Sequence, residues 1–114
     1  MPQAAQRRSE RLLLDVPIVI RSQDPAGRTF SEETFTVTVS AHGALVMLEA
    51  RVALGQKIVV SNPKNWDERE ARVAFLGQPH AGLAQVAFEF SRPAPEFWSL
   101  DTCPASWGCP PATR

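Results

Sequence analysis

An arginine-rich segment near the start of the chain is the first group of residues that could do chemistry. Arg7, Arg8 and Arg11 stand close together, with Glu10 as the acidic residue among them, so the local net charge is about +2. Each guanidinium presents a planar fork of N–H donors that matches phosphate oxygens or nucleobase edges in paired hydrogen bonds. Taken by itself, this segment is interpreted as a solvated leader, and an anion-binding segment is the alternative.

A second candidate lies where an alternating run ends in a turn. Residues 34–39 alternate threonine with phenylalanine or valine, which predicts a half-buried strand with its apolar side chains inside and its threonines outside. On this period Thr38 and Ser40 point away from the interior. Gly43 follows after a short turn, and glycine permits the close approach of another group. Taken by itself, this segment is a turn with two outward hydroxyl groups.

Residues that could support catalysis or bind a metal are few. His42 and His80 each stand next to turn residues, and a turn role fits them better than acid–base catalysis. The spacing of Cys103 and Cys109 matches no common zinc pattern, and a second ligand pair is missing. Glycine-rich phosphate loops are also absent. We therefore expect no catalytic residue, no metal site and no cofactor, and we assign no role to the two cysteines.

Length and charge narrow the class of protein further. A chain of 114 residues suits one domain. No secretory signal or membrane-spanning run is visible, so we expect a cytoplasmic protein without membrane insertion. The twelve basic and twelve acidic side chains cancel, which argues against nucleic acid as a partner because non-specific binding needs excess positive charge.

Short runs with the period of a β-strand recur along the chain, separated by turn residues. Ala71, Val73 and Phe75 form one such apolar face. No helical period of comparable length lies between the runs. The pattern predicts an all-β fold, a six-stranded antiparallel barrel, whose strands fall in residues 16–20, 34–39, 44–48, 57–60, 70–75 and 84–90.

The final stretch is rich in proline and aromatic residues. Glu96 to Leu100, entered from Pro95, could form a short helical turn, and large aromatic side chains favour packing across the barrel. We expect three segments: a flexible arginine-rich leader over residues 1–14, the barrel over 15–92, and a C-terminal tail over 93–114 that packs on the barrel.

Together these motifs, in this order on a six-strand pattern, resemble the PilZ domain, a bacterial receptor for cyclic di-GMP. The family motif is R-x-x-x-R near the N-terminus followed by [D/N]-x-S-x-x-G. Arg7 and Arg11 match the first part, and Ser40 and Gly43 match the second, where Thr38 replaces the acidic or amide residue. The proline-aromatic ending is also similar to that of short single-domain members.

The resemblance implies a ligand site made of Arg7, Arg8, Arg11, Thr38, Ser40 and Gly43. In the family, the arginines bind phosphate and guanine, and the second motif provides groups for a guanine edge. Thr38 offers only a neutral hydroxyl, and losing a hydrogen bond to a charged group costs about ten- to a hundred-fold in affinity. Gln85, where members often carry glycine, is a further departure.

The resemblance leads to a working function and leaves alternatives. We expect a receptor and adaptor in which cyclic di-GMP orders the leader and so changes a surface that an unidentified protein effector reads. The principal alternative is a degenerate PilZ domain that does not bind cyclic di-GMP and acts by protein contact alone. A small barrel that binds oligonucleotides is a third reading, which a gel shift at low salt would test.

Overall fold

The fold was determined as a computed structural model that describes residues 10–24, 26–100 and 104–107. These residues contain seven β-strands, and the six predicted ones are all present. Their bounds are β1 Leu12–Leu13, β2 Pro17–Gln23, β3 Thr29–Ser40, β4 Gly43–Leu48, β5 Lys57–Asn62, β6 Asp67–Leu76 and β7 Ala84–Phe90. Two short 3₁₀ turns follow, Pro95–Trp98 and Ala105–Trp107.

The strands close into a barrel. Hydrogen bonding runs in the order β3-β2-β5-β6-β7-β4, and β4 returns to β3, so six antiparallel strands form a ring. The very short β1 is an additional outer strand that pairs only with β3 among the described strands. The predicted all-β barrel with a short C-terminal helical turn is therefore confirmed. The sequence pattern missed β1 because two residues are too few to show a period.

The core is lined by aliphatic side chains of all six barrel strands and is closed at one end by aromatic residues. Phe97, Trp98 and Trp107, from the two 3₁₀ turns, are almost completely buried in it. Asn62 is fully buried beside them and donates its side-chain N–H to the carbonyl of Phe97 at 2.8 Å. Polar and apolar contacts together attach the C-terminal segment to the barrel.

Within the described ranges, none of the helices has the length or the apolar character needed to cross a lipid bilayer.

A β-bulge in β3 contradicts the predicted facing of that strand. Thr36 pairs with Val46 and Thr38 pairs with Leu45, so Val37 is an extra residue. The bulge exchanges the two faces of the strand at this point. Thr36 is consequently buried, whereas Phe35 and Val37 are 59% and 39% exposed, the reverse of the expected alternation.

A second bulge, in β6, has the same consequence for Phe75. Val73 pairs with Phe88 and Phe75 with Ala87, which leaves Ala74 as the extra residue. Phe75 is 49% exposed and does not share the buried face of Ala71 and Val73 as we expected. Both errors have one cause, since a bulge adds a residue to one strand without changing the alternation visible in its sequence.

The buried Thr36 joins the bulge to the N-terminal part of the chain. Its hydroxyl donates to the carbonyl of Leu14 at 2.6 Å and accepts from the backbone N–H of Val16 at 2.8 Å. The segment between β1 and β2 is thereby held against β3 at the bulge. The hydroxyl satisfies two backbone groups there, and a buried group left unsatisfied costs about 1–3 kcal/mol.

Replacing Thr36 with valine tests this connection. We expect Thr36→Val to lower the free energy of unfolding by about 2 kcal/mol, because Val16 N–H loses its acceptor while the side-chain volume is kept. Denaturant titration followed by tryptophan fluorescence measures the change. Thr29→Val, at the exposed start of the same strand, should leave stability unchanged. Equal stability of the two variants would contradict the role given to the Thr36 hydroxyl.

Candidate functional site

The pairing of β1 with β3 brings the two sequence motifs together. Leu12 lies opposite Val39 and Leu13 opposite Thr38, so Arg11, one position before Leu12, comes next to Ser40. Arg11 is exposed, and with Thr38, Ser40 and Gly43 it borders a single cavity. Arg7 and Arg8, the other predicted site residues, lie outside the described part of the chain.

The cavity has a volume of about 490 Å³ and opens on the outer surface of the barrel. A small-molecule site typically has a volume of about 300–1,000 Å³. Its floor consists of the outer faces of β3, β4, β7 and β6, arranged in cross-strand rows. One row runs from Thr38 through Leu45 and Ala87 to Phe75, and the next runs from Ser40 through Gly43 to Glu89.

The two bulges determine which side chains reach this floor. Without the extra residue in β3, Thr38 and Ser40 would share the inward face of Thr36. Without the extra residue in β6, Phe75 would share the buried face of Val73. The outward direction of Thr38 and Ser40 was predicted, but from an uninterrupted alternation that the strand does not have. Bulges commonly re-aim side chains next to binding sites.

Gly43 has a structural reason to be glycine. A Cβ atom at this position would lie 1.9 Å from the carbonyl oxygen of Phe88 on β7, far inside van der Waals contact. The two strands therefore approach each other closely beneath the cavity. The sequence predicts that this glycine permits the close approach of another group, and that group is the backbone carbonyl of Phe88. The ligand contact that the resemblance assigns to Gly43 stays a prediction.

Ser40 is held in place by its neighbours. Its hydroxyl accepts a hydrogen bond from the backbone N–H of His42 at 3.1 Å, which shapes the turn between β3 and β4. Its carbonyl accepts a hydrogen bond from the indole N–H of Trp98 at 2.8 Å. Among the described residues, none accepts the hydroxyl proton of Ser40. Thr38, by contrast, makes no side-chain hydrogen bond with any other described residue.

Three groups at the cavity were not recognised from the sequence. Phe75 presents an aromatic ring, Glu89 a carboxylate and His42 an imidazole, and all three line the cavity. His42 was interpreted only as a turn residue. Phe75 was placed in the core because its strand alternates regularly. The alternation of β7 is the signal that could have indicated Glu89. It places Glu89 on the outer face of the strand, opposite to the buried Val86, Phe88 and Phe90.

A second cavity, of about 630 Å³, lies on the outer face of β2, β5 and β6. Its surroundings mix basic and acidic side chains, including Arg72, Lys57 and Glu70, and Arg21 at its edge forms an ion pair with Glu68. None of the predicted site residues borders it.

Histidine and acidic side chains are distributed over the described residues. Among them, no group of three or more histidine, cysteine or acidic side chains is placed to hold a metal ion. His80 forms a one-residue bridge with Leu83 at the tip of the β6–β7 connection, away from the cavity. Cys103 and Cys109 lie outside the described residues.

A Gly43→Ala substitution tests the close approach of β4 and β7. The added methyl group meets backbone, which cannot turn away, so we expect the free energy of unfolding to fall by about 3 kcal/mol, at the upper end for overpacking. Gly77→Ala is the control, because its Cβ would lie 3.1 Å from the Cβ of Gln85, which needs only a small adjustment. Thermal unfolding compares them, and an unchanged Gly43→Ala variant would contradict this explanation.

Comparison with known proteins supports the fold. No protein-family model matches the chain, and no curated protein matches its sequence. Among solved structures it is similar to the Bacillus subtilis inhibitor of motility MotI/DgrA, a PilZ-domain protein, with a TM-score of 0.56 and 19% identity. The similarity covers 82% of this chain and 49% of that one, so the chain corresponds to about half of its neighbour. At this identity the likeness shows a common PilZ-like barrel fold.

Proposed function

We propose that this chain is a non-enzymatic receptor for cyclic di-GMP that regulates a protein partner. The observation that carries the proposal is the meeting of Arg11 with Thr38, Ser40 and Gly43 around one cavity. Arg11 is far in sequence from the segment Thr38 to Gly43, and the resemblance to the PilZ motif assigns ligand contacts to all four residues. Cyclic di-GMP is made inside bacterial cells, so the proposal also places the protein in the cytoplasm.

Arg11 and Ser40 give the cavity hydrogen-bond donors for a ligand with two phosphates and two guanines. The exposed guanidinium of Arg11 stands at the edge of the cavity, where it can form paired hydrogen bonds with phosphate oxygens or with the O6 and N7 acceptors of guanine. Arg7 and Arg8, a few positions earlier in the chain, are proposed to add further positive charge. Ser40 contributes its hydroxyl proton to the same ligand.

Phe75 gives the cavity a surface for a nucleobase. Its ring is half exposed and lies in a row with Ala87 and Leu45, which form a flat apolar floor. Stacking of a base on an aromatic side chain contributes about 1–3 kcal/mol. We propose that one guanine stacks over this row while Arg11 contacts the phosphates.

Glu89 can compensate for the missing acidic residue at position 38. It is a carboxylate that lines the cavity and lies directly opposite Gly43 in register. The guanine edge carries N–H donors that a carboxylate accepts. We propose that Glu89 takes part of the role that the family gives to the aspartate or asparagine of its second motif.

The proposed output is a changed protein-binding surface. Leu13, Phe35 and Val37 are 82%, 59% and 39% exposed, and they lie on β1 and β3 next to the motif residues. Large exposed apolar side chains grouped in this way are typical of protein contact sites. The neighbour MotI/DgrA is named as an inhibitor of motility, which agrees with a regulatory role of this kind.

The same observations favour a second candidate function. A PilZ-like barrel that no longer binds cyclic di-GMP would still have this apolar surface, and Thr38 removes a charged contact that the resemblance expects. Such a chain would bind its protein partner whether or not cyclic di-GMP is present. Ligand titration distinguishes the two candidates.

Calorimetric titration with cyclic di-GMP tests the proposed receptor. We expect saturable binding by the wild-type protein, and Arg11→Ala should weaken it by about ten- to a hundred-fold because a charged hydrogen-bond donor is lost. GTP serves as the competing nucleotide and should not displace the ligand. Absence of heat at ligand concentrations far above micromolar would overturn the receptor proposal and favour the contact module.

Two phenylalanine variants locate the binding site in the same titration. Phe75→Ala should lower the affinity, since it removes the stacking surface. Phe35→Ala is the matched control: it removes an equally large and similarly exposed ring that does not border the cavity. Equal losses in the two variants would contradict binding in this cavity.

Thr38→Asp tests the departure from the family motif. We expect it to raise the affinity for cyclic di-GMP by about ten-fold or more, because a carboxylate accepts stronger hydrogen bonds from guanine than a neutral hydroxyl does. Thr38→Val, which keeps the shape and removes the hydroxyl, is the control and should not raise the affinity. Weaker binding by Thr38→Asp would show that position 38 does not face guanine.

A further inference from the structure

The C-terminal Ala105–Trp107 turn forms hydrogen bonds with both backbone polar groups of Glu10, its N–H and its carbonyl. The hydroxyl of Ser106 accepts a hydrogen bond from the N–H of Glu10 at 3.0 Å, and the indole N–H of Trp107 donates to the carbonyl of Glu10 at 2.6 Å. Glu10 directly precedes Arg11. The far end of the chain therefore holds the residue next to the arginine at the cavity.

The hydrogen bond from Trp107 to Glu10 has a fixed donor because the indole ring is part of the core. The side chain is only 4% exposed and packs in the same buried cluster as the barrel residues. Its indole N–H thus points in a direction set by core packing. Ser106 is exposed, so its contribution is the hydrogen bond and not burial.

Trp98 holds the second motif in the same manner. Its ring is 3% exposed, and its indole N–H donates to the carbonyl of Ser40 at 2.8 Å. The next residue, Ala41, accepts a hydrogen bond from Ala94 at 2.8 Å. Two buried tryptophans from one C-terminal segment therefore fix the two chain segments that meet at the cavity.

Arg11 needs such support because it lies outside any strand and the strand that follows it is short. β1 consists of two residues, and a ladder of this length orders its neighbours only weakly. A binding group that is held in place before the ligand arrives loses less conformational freedom on binding. The hydrogen bonds to Glu10 supply this order on the side of Arg11 that the β1–β3 ladder does not reach.

We infer that Ser106 and Trp107 are positioning residues for Arg11, so that docking of the C-terminal turn and ligand binding at the cavity favour each other. The ligand part of this inference rests on the proposed function. Because coupling between two sites is reciprocal, cyclic di-GMP should also strengthen the attachment of the C-terminal turn to Glu10.

The contact itself is tested without a ligand. Hydrogen exchange measured by NMR should show protection of the Glu10 amide and of the Trp107 indole N–H in the wild-type protein. Ser106→Ala should speed exchange of the Glu10 amide without lowering global stability, because Ser106 is exposed. An unprotected Glu10 amide in the wild type would overturn the inference, whatever the chain binds.

A double-mutant cycle with Trp107→Phe and Arg11→Ala tests the coupling to the ligand. Trp107→Phe keeps an aromatic ring in the core and removes the N–H, and we expect it to weaken cyclic di-GMP binding by about ten-fold, within the usual range of coupling between sites. In the Arg11→Ala background the same change should cost little more, since the positioned group is already gone.

One result of the cycle would overturn the inference, and one result of the wild-type titration would overturn the proposed function. If Trp107→Phe weakens binding by the same factor in both backgrounds, Trp107 does not act through Arg11 and the inference fails. If the wild-type protein binds no cyclic di-GMP, the proposed function fails, while the hydrogen-exchange result still decides whether the C-terminal turn holds the leader.

Discussion

The extra residue in β3 is the constraint on which the site depends. It turns Thr36 inward, where the hydroxyl holds the backbone of Leu14 and Val16, and it turns Thr38 outward. The same point in β3 separates the stretch that pairs with β2 from the stretch that pairs with β1. This bulge thus turns Thr38 and Ser40 toward the outer surface and allows the segment that carries Arg11 to lie beside them. A second bulge, at Ala74, adds Phe75 to the floor.

The C-terminal segment, together with the two bulges, determines the geometry of the site. Two buried tryptophans close the end of the core, and each uses its one N–H on a carbonyl of a motif segment. Arg69 on β6 attaches this segment to the barrel through Glu96. The hydrogen bond that Arg69 also donates to Asp67, on the same strand, is the main cause that raises the pKa of Arg69. Core packing and site geometry are consequently not independent, because the side chains that fill the barrel end also position the cavity.

The sequence was sufficient for the fold but not for the face of each strand. All six barrel strands and the short turn at Pro95–Trp98 follow from alternation, turn residues and proline placement. The inward Thr36 and the outward Phe75 could not be predicted, because a bulge leaves no mark in a regular alternation. The close approach that Gly43 permits was expected, but its partner could not be predicted, since the carbonyl of Phe88 belongs to a strand far away in sequence. Arg7 and Arg8 remain predictions.

The most direct test of the account is a map of backbone amide chemical shifts during titration with cyclic di-GMP. The account predicts that the largest changes occur at Arg11, along Thr38 to Gly43 and across the floor at Ala87 and Glu89. Residues of the opposite surface, on β2 and β5, should change little. Large changes confined to β2 and β5 would place the ligand elsewhere. A spectrum that stays the same at saturating ligand would contradict the central claim that this cavity is a cyclic di-GMP site.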